Sequence, residues 1–104
     1  MDNLWELPNP LPSREHFDVL LQTPTITLER IISTGQVTPL DQWYDQGRAE
    51  WVVLLQGSAQ IIYDTGAVFN LVKGDYLLIA AHQKHRVSFT SQDPPCIWLA
   101  LHLG

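Results

Sequence analysis

Glu50 and His85 are the residues whose types and settings lend themselves most to chemistry. Glu50 opens the run Glu50-Trp51-Val52-Val53-Leu54-Leu55, which is apolar on both faces, as a strand sandwiched in a core would be. Alternate side chains of a regular strand share a face, so Glu50, Val52 and Leu54 point one way. Carried backward, the same parity puts Tyr44 and Gln46 on that face; a kink at Gly47 brings Asp45 round instead. A carboxylate facing an apolar interior is costly unless it is paired, hydrogen-bonded or bound to a metal. The other reading leaves Glu50 at the solvated entrance of the strand.

His85 opens a second strand-like run, in which His85, Val87 and Phe89 share one face and Arg86, Ser88 and Thr90 the other. An imidazole grouped with Val and Phe lies on the core side. Alone it is a hydrogen-bonded core histidine; met by a carboxylate from another strand it becomes a metal or acid/base group. His82 falls in a tight turn, where His tolerates a positive φ better than most residues. Trp43, Tyr44, Trp51 and Phe89 could wall a ligand pocket, with Gln46, Glu50 and His85 supplying polarity.

Other reactive side chains read as structural. His102 lies on a strand with both faces covered, hence in a core or an interface, and His16 on the surface of a short helix. Cys96 follows two prolines and begins a strand, the setting of a buried inert thiol. No Ser or Cys stands beside a matched base, so a hydrolase triad is unsupported. A phosphate-cradling glycine loop is missing too, which argues against nucleotide chemistry.

The elements that must position these groups are short and β-rich. Turn signals at Gly35, Pro39, Gly47, Gly57, Gly66, Gly74 and Pro94-Pro95 separate them. The strands are Ile26–Ile32, Trp51–Leu55, Ala59–Tyr63, Val68–Val72, Tyr76–Ala80, His85–Thr90 and Ile97–Leu103. Such a series predicts an all-β sandwich or barrel over residues 26–104. Residues 1–25, punctuated by Pro8, Pro10, Pro12 and Pro24, form an N-terminal arm. Within it Ser13 caps a short helix through Phe17, Leu20 and Leu21.

Composition sets the outer bounds. A chain of 104 residues is one domain's worth, and 45% apolar content is enough for a core. A net charge of -5 is a poor match to a phosphate backbone, so no nucleic-acid partner is expected. One cysteine excludes an internal disulfide and any zinc site of several thiolates. No run approaches the roughly 18 apolar residues of a membrane helix. The start is acidic rather than signal-like. The expectation is a cytoplasmic protein with no membrane association.

Two stretches resemble the motifs of the cupin superfamily, small jelly-roll barrels. The first motif is Gly, His-x-His, three or four residues, Glu, six residues, Gly; Glu50 and Gly57 keep the final spacing. The second is Gly, five residues, Pro-x-Gly, two residues, His; Gly74, Ala80, His82 and His85 hold those positions. The resemblance covers roughly residues 26 to 103 and is nearest to short single-domain bacterial cupins carrying Trp43-Tyr44-Asp45-Gln46 and His82-x-x-His85-Arg86-Val87. It implies a cupin-type jelly-roll barrel, a homodimer and a divalent metal (nickel, zinc, manganese or iron) held by Glu50 and His85. The motif-one histidines are absent, their places taken by Tyr44 and Gln46, or by Trp43 and Asp45 with the longer spacing. A third ligand would then be Gln46, Asp45 or His82. The function so implied is a small cupin-barrel protein binding a metal and a small polar ligand inside the barrel. The alternatives are a metal-free small-molecule binding module or a structural, interacting dimer.

Overall fold

β-Branched and aromatic residues dominate the segments between turns, and those segments form eight strands. A computed structural model describes all 104 residues, Met1–Gly104. The strands are β1 (His16–Gln22), β2 (Ile26–Ser33), β3 (Ala49–Gln56), β4 (Ala59–Tyr63), β5 (Val68–Leu71), β6 (Tyr76–Ile79), β7 (His85–Thr90) and β8 (Cys96–Leu103). They build two antiparallel sheets, one in the order β1-β2-β8-β3-β6 and one in the order β5-β4-β7. The sheets pack face to face. Val52, Leu54, Ile79, Trp98 and Ala100 from the first meet Ala59, Ile61 and Leu71 from the second in one buried cluster. This is the all-β jelly-roll architecture. No helix of the chain is long and apolar enough to cross a membrane.

The short helix expected after Ser13 is instead β1. Its residues pair with β2 in the register His16↔Ile32, Phe17↔Ile31 and Asp18↔Arg30. Phe17, Leu20 and Leu21 suggest a helical stripe, but an isolated helix of that length is marginal. A ladder of non-local hydrogen bonds, reinforced by the Asp18–Arg30 ion pair at 2.6 Å, wins. Arg30 also donates to the carbonyls of Leu4 and Glu6 at 3.0 and 2.7 Å, which ties the N-terminal segment to the sheet.

Strand parity sorts the large sheet into two faces. Glu50, Val52 and Leu54 point inward and are buried. On the outer face, cross-strand register lines up Leu21, Leu28, Leu101, Trp51 and Leu78 in a row that crosses all five strands. Tyr76, beside this row, packs on Trp51 with ring centroids 5.6 Å apart.

Gly57 shows why the first motif ends in glycine. Its φ is +88°, and a Cβ there would come within 2.6 Å of Ser91 Oγ and 3.0 Å of Cys96 Sγ. Cys96 is fully buried and donates its thiol to the Ser58 carbonyl, in keeping with an inert thiol.

Candidate functional site

The inward faces of β2, β3 and β8 meet one another at the end of the barrel where Glu50 lies. Register sets Glu50 directly opposite His102. Glu29, Ile31, Val52, Trp98 and His102 then line a cavity of about 110 Å3 with Ile61, Ile79 and Val87. Glu15, Phe17, Tyr44, Gln46, Glu50 and His85 complete it. Tyr44, Gln46, Glu50 and His85 are thus brought together around one cavity.

Backbone contacts hold the segment that carries Tyr44 and Gln46 against β7. Tyr44 N–H donates to His85 O at 2.8 Å and His85 N–H donates to Tyr44 O at 3.1 Å. Thr38 N–H donates to Val87 O, and Val87 N–H to Thr38 Oγ1. The Tyr44 and His85 rings stack at 5.5 Å. Burial, with Glu15 nearby, pushes the Tyr44 phenol up, so it stays protonated and can donate or accept.

His102 bridges two carboxylates. Its Nε2 lies 2.8 Å from Glu29 Oε1 and its Nδ1 3.4 Å from Glu50 Oε2. Burial holds Glu50 above the usual carboxylate range; the imidazoles of His102 and His85 and the Gln46 side chain oppose this, and Glu29 adds to it. Glu15 is likewise raised by burial, although Ser33 donates to it at 2.9 Å. His85 is 5% exposed, and its Nδ1 lies 2.8 Å from the Gln83 carbonyl. A carbonyl only accepts, so Nδ1 donates, and Nε2 of the neutral ring is left with a lone pair and no partner in the chain.

The other sequence candidates stand outside the cavity. Asp45 and His82 pair with each other at 2.9 Å, with 42% and 72% of their side chains exposed. His82 has the positive φ its turn requires, 63°, and its N–H donates to Gln46 O at 2.7 Å. The pair therefore pins the segment bearing Gln46 rather than facing Glu50. Trp51 lies on the opposite face of β3, as parity demands, and Trp43 is half exposed outside the lining. Phe89 misses the interior because of a bulge. Gln60 pairs with Phe89 but Ile61 pairs with Val87, so Ser88 is an extra residue that reverses parity. Thr90 turns inward in its stead and donates to Gln36 O at 2.6 Å.

The donor set does not suit a resident transition metal. Both nitrogens of His102 face carboxylates, and the two motif-one positions hold Tyr44 and Gln46. Glu50 and His85 remain, but no three His, Cys, Asp or Glu side chains are grouped to hold an ion. A catalytic zinc typically takes three protein ligands. Glu15, Glu29 and His102 are site residues that sequence reasoning did not bring to the cavity. The one available signal was strand parity, which sets His102 on the face of Trp98 and Ala100.

Comparison with known proteins agrees with the fold. A crystal structure of a "putative mannose-6-phosphate isomerase" from Ralstonia eutropha JMP134 shares 39% identity, with a TM-score of 0.91 over 99% of this chain and 96% of that one. A cupin superfamily protein from Desulfitobacterium hafniense DCB-2 superposes with a TM-score of 0.74 at 19% identity, covering 98% of each chain. An RmlC-like cupin from Desulfovibrio desulfuricans gives 0.73 at 16%, covering 98% of this chain and 94% of its own. No curated protein is significantly similar. The family model described as "Cupin domain" matches residues 30–102, and the chain belongs to the cupin family.

Proposed function

We propose that this cupin barrel binds a small polar molecule in the cavity around Glu50, His85 and His102 and needs no resident metal to do so. The observation that carries this reading is the cavity itself. It has apolar walls with a few convergent polar groups, the usual make-up of a small-molecule site. The isomerase name of the Ralstonia relative suggests a sugar phosphate, but three carboxylates and no Lys or Arg line this cavity. A phosphate dianion would meet like charge without a counter-ion. Thermal-shift screening of untagged, chelator-treated protein tests the reading. Stabilisation by an uncharged or cationic compound, unchanged on adding nickel, zinc, manganese or iron, is expected. Stoichiometric metal in the purified protein, with ligand binding lost on chelation, overturns it, as does selective binding of mannose 6-phosphate.

The homodimer is proposed on the outer face of the large sheet, with a second copy as the occupant. The apolar row from Leu21 to Leu78 supports it, because a contiguous apolar patch of this kind marks an interaction surface. The face spans roughly 500 Å2 in plan from strand spacing and length, approaching the roughly 800 Å2 a stable interface takes from each partner. Sedimentation should show a dimer that Leu78→Lys shifts toward monomer; a monomeric parent protein at micromolar concentration refutes it. The buried lone thiol of Cys96 is compatible with a reducing compartment, and a cytoplasmic location is part of the same reading.

A further inference from the structure

The polar groups that the cavity leaves free are mainly acceptors. In the neutral ring whose Nδ1 donates to the Gln83 carbonyl, His85 Nε2 carries a lone pair with no partner in the chain, and the residue is 5% exposed. Glu15, Glu29 and Glu50 contribute carboxylates. One imidazole, His102, is shared between two of these, and no Lys or Arg is present to offset the remainder. Gln46 and Tyr44 adapt to either kind of partner. A ligand that satisfies this set must donate hydrogen bonds and carry positive charge.

The walls point the same way. Phe17, Tyr44 and Trp98 line the cavity, and aromatic faces attract organic cations through the ring quadrupole. The cavity volume, about 110 Å3, is below that of an engineered cavity that admits benzene, about 150 Å3. That volume suits a ligand of roughly four to six non-hydrogen atoms. A bare metal ion would use neither the apolar wall nor this volume.

We propose that the ligand is a small monovalent organic cation, a protonated primary amine or an amidinium, whose N–H groups bond to Glu50 and His85 Nε2 while its carbon skeleton packs on Trp98 and Phe17. This rests on the reading that the cavity is a ligand site and names the chemical class it takes. The burial that raises Glu15 and Glu50 works for the proposal, since an arriving cation relieves the cost of ionising them.

Calorimetric and NMR titration of the whole chain with three probes of matched size provides the test: propylammonium, propan-1-ol and propionate. Propylammonium should bind about tenfold or more tightly than propan-1-ol, the scale of one charge-assisted hydrogen bond. It should shift the Trp98 indole and His85 ring signals, and propionate should shift neither. Glu50→Gln should remove about tenfold from propylammonium affinity and leave propan-1-ol unchanged. If that variant does not fold, Glu15→Gln carries the same expected direction. Propan-1-ol or propionate binding as tightly as propylammonium overturns the cation proposal and leaves the cavity reading standing. Silence from all three probes overturns both.

Discussion

Replacing His102 by Gln tests whether the imidazole holds two carboxylates together. Its nitrogens lie 2.8 and 3.4 Å from Glu29 and Glu50, and the three side chains are only 12–18% exposed. Removing one partner from a buried charged group costs about 3–5 kcal/mol. Partial exposure of Glu29 favours the lower end, about 3 kcal/mol at pH 7.5. In a domain of this size that lowers Tm by roughly 15 °C. The pH dependence is the sharper discriminator. Burial already raises Glu50, and His102 is the largest influence opposing it, so the substitution raises it further. A carboxyl raised on folding contributes stability that is complete below its unfolded value, about 4.3, and is lost as pH rises through the folded value. The penalty should therefore be small at pH 4 and grow as pH rises. Urea denaturation between pH 4 and pH 8 measures it, and the His102→Gln/Glu50→Gln double variant should recover about half of the loss. A penalty under about 1 kcal/mol at pH 7.5, or one that does not change with pH, would refute the bridging role.

Three further outcomes are expected. Glu50→Gln should match the parent protein at pH 4 and exceed it in stability at pH 8, by about 1.4 kcal/mol for each unit that folding raises Glu50; equal slopes of stability against pH would contradict the buried-carboxyl account. Arg30→Met removes the Asp18 ion pair and the two bonds to Leu4 and Glu6. It should cost about 2 kcal/mol and speed proteolytic cleavage within residues 1–12, whereas an unchanged cleavage rate denies the tether. Gly57→Ala places a Cβ against Ser91 and Cys96 at φ +88° and should destabilise by about 2–3 kcal/mol, read as a fall in thermal midpoint.

The parts of the site written in strand alternation were legible in the sequence. Alternation carried back from Glu50 pointed to Tyr44 and Gln46, and all three line the cavity, although the link between them is not strand and bends at Gly47 and Arg48. Irregular registers hid the rest. An extra residue at Ser88 turns Phe89 outward, and nothing in the local pattern of β7 marks it. β1 carries apolar residues at a helical spacing, and only its non-local partner β2 makes it a strand. Glu29 and His102 sit in strands with apolar residues on both faces, so composition could not say which face was the interior. Their meeting with Glu50 depends on the order β2-β8-β3, which lies in the topology rather than in any segment.

The paired bonds between Tyr44 and His85 have a kinetic consequence. The two amides protect each other: Tyr44 N–H is held by the His85 carbonyl and His85 N–H by that of Tyr44. Any excursion that lifts the Tyr44 segment off β7 frees both at once, so the two amides should exchange with solvent through a single opening event. The same event uncovers one wall of the cavity, since the Tyr44 ring stacks on His85. Their common exchange rate is therefore a lower bound on how often that wall lifts, and a bound ligand that bridges the wall and His85 would slow both amides together.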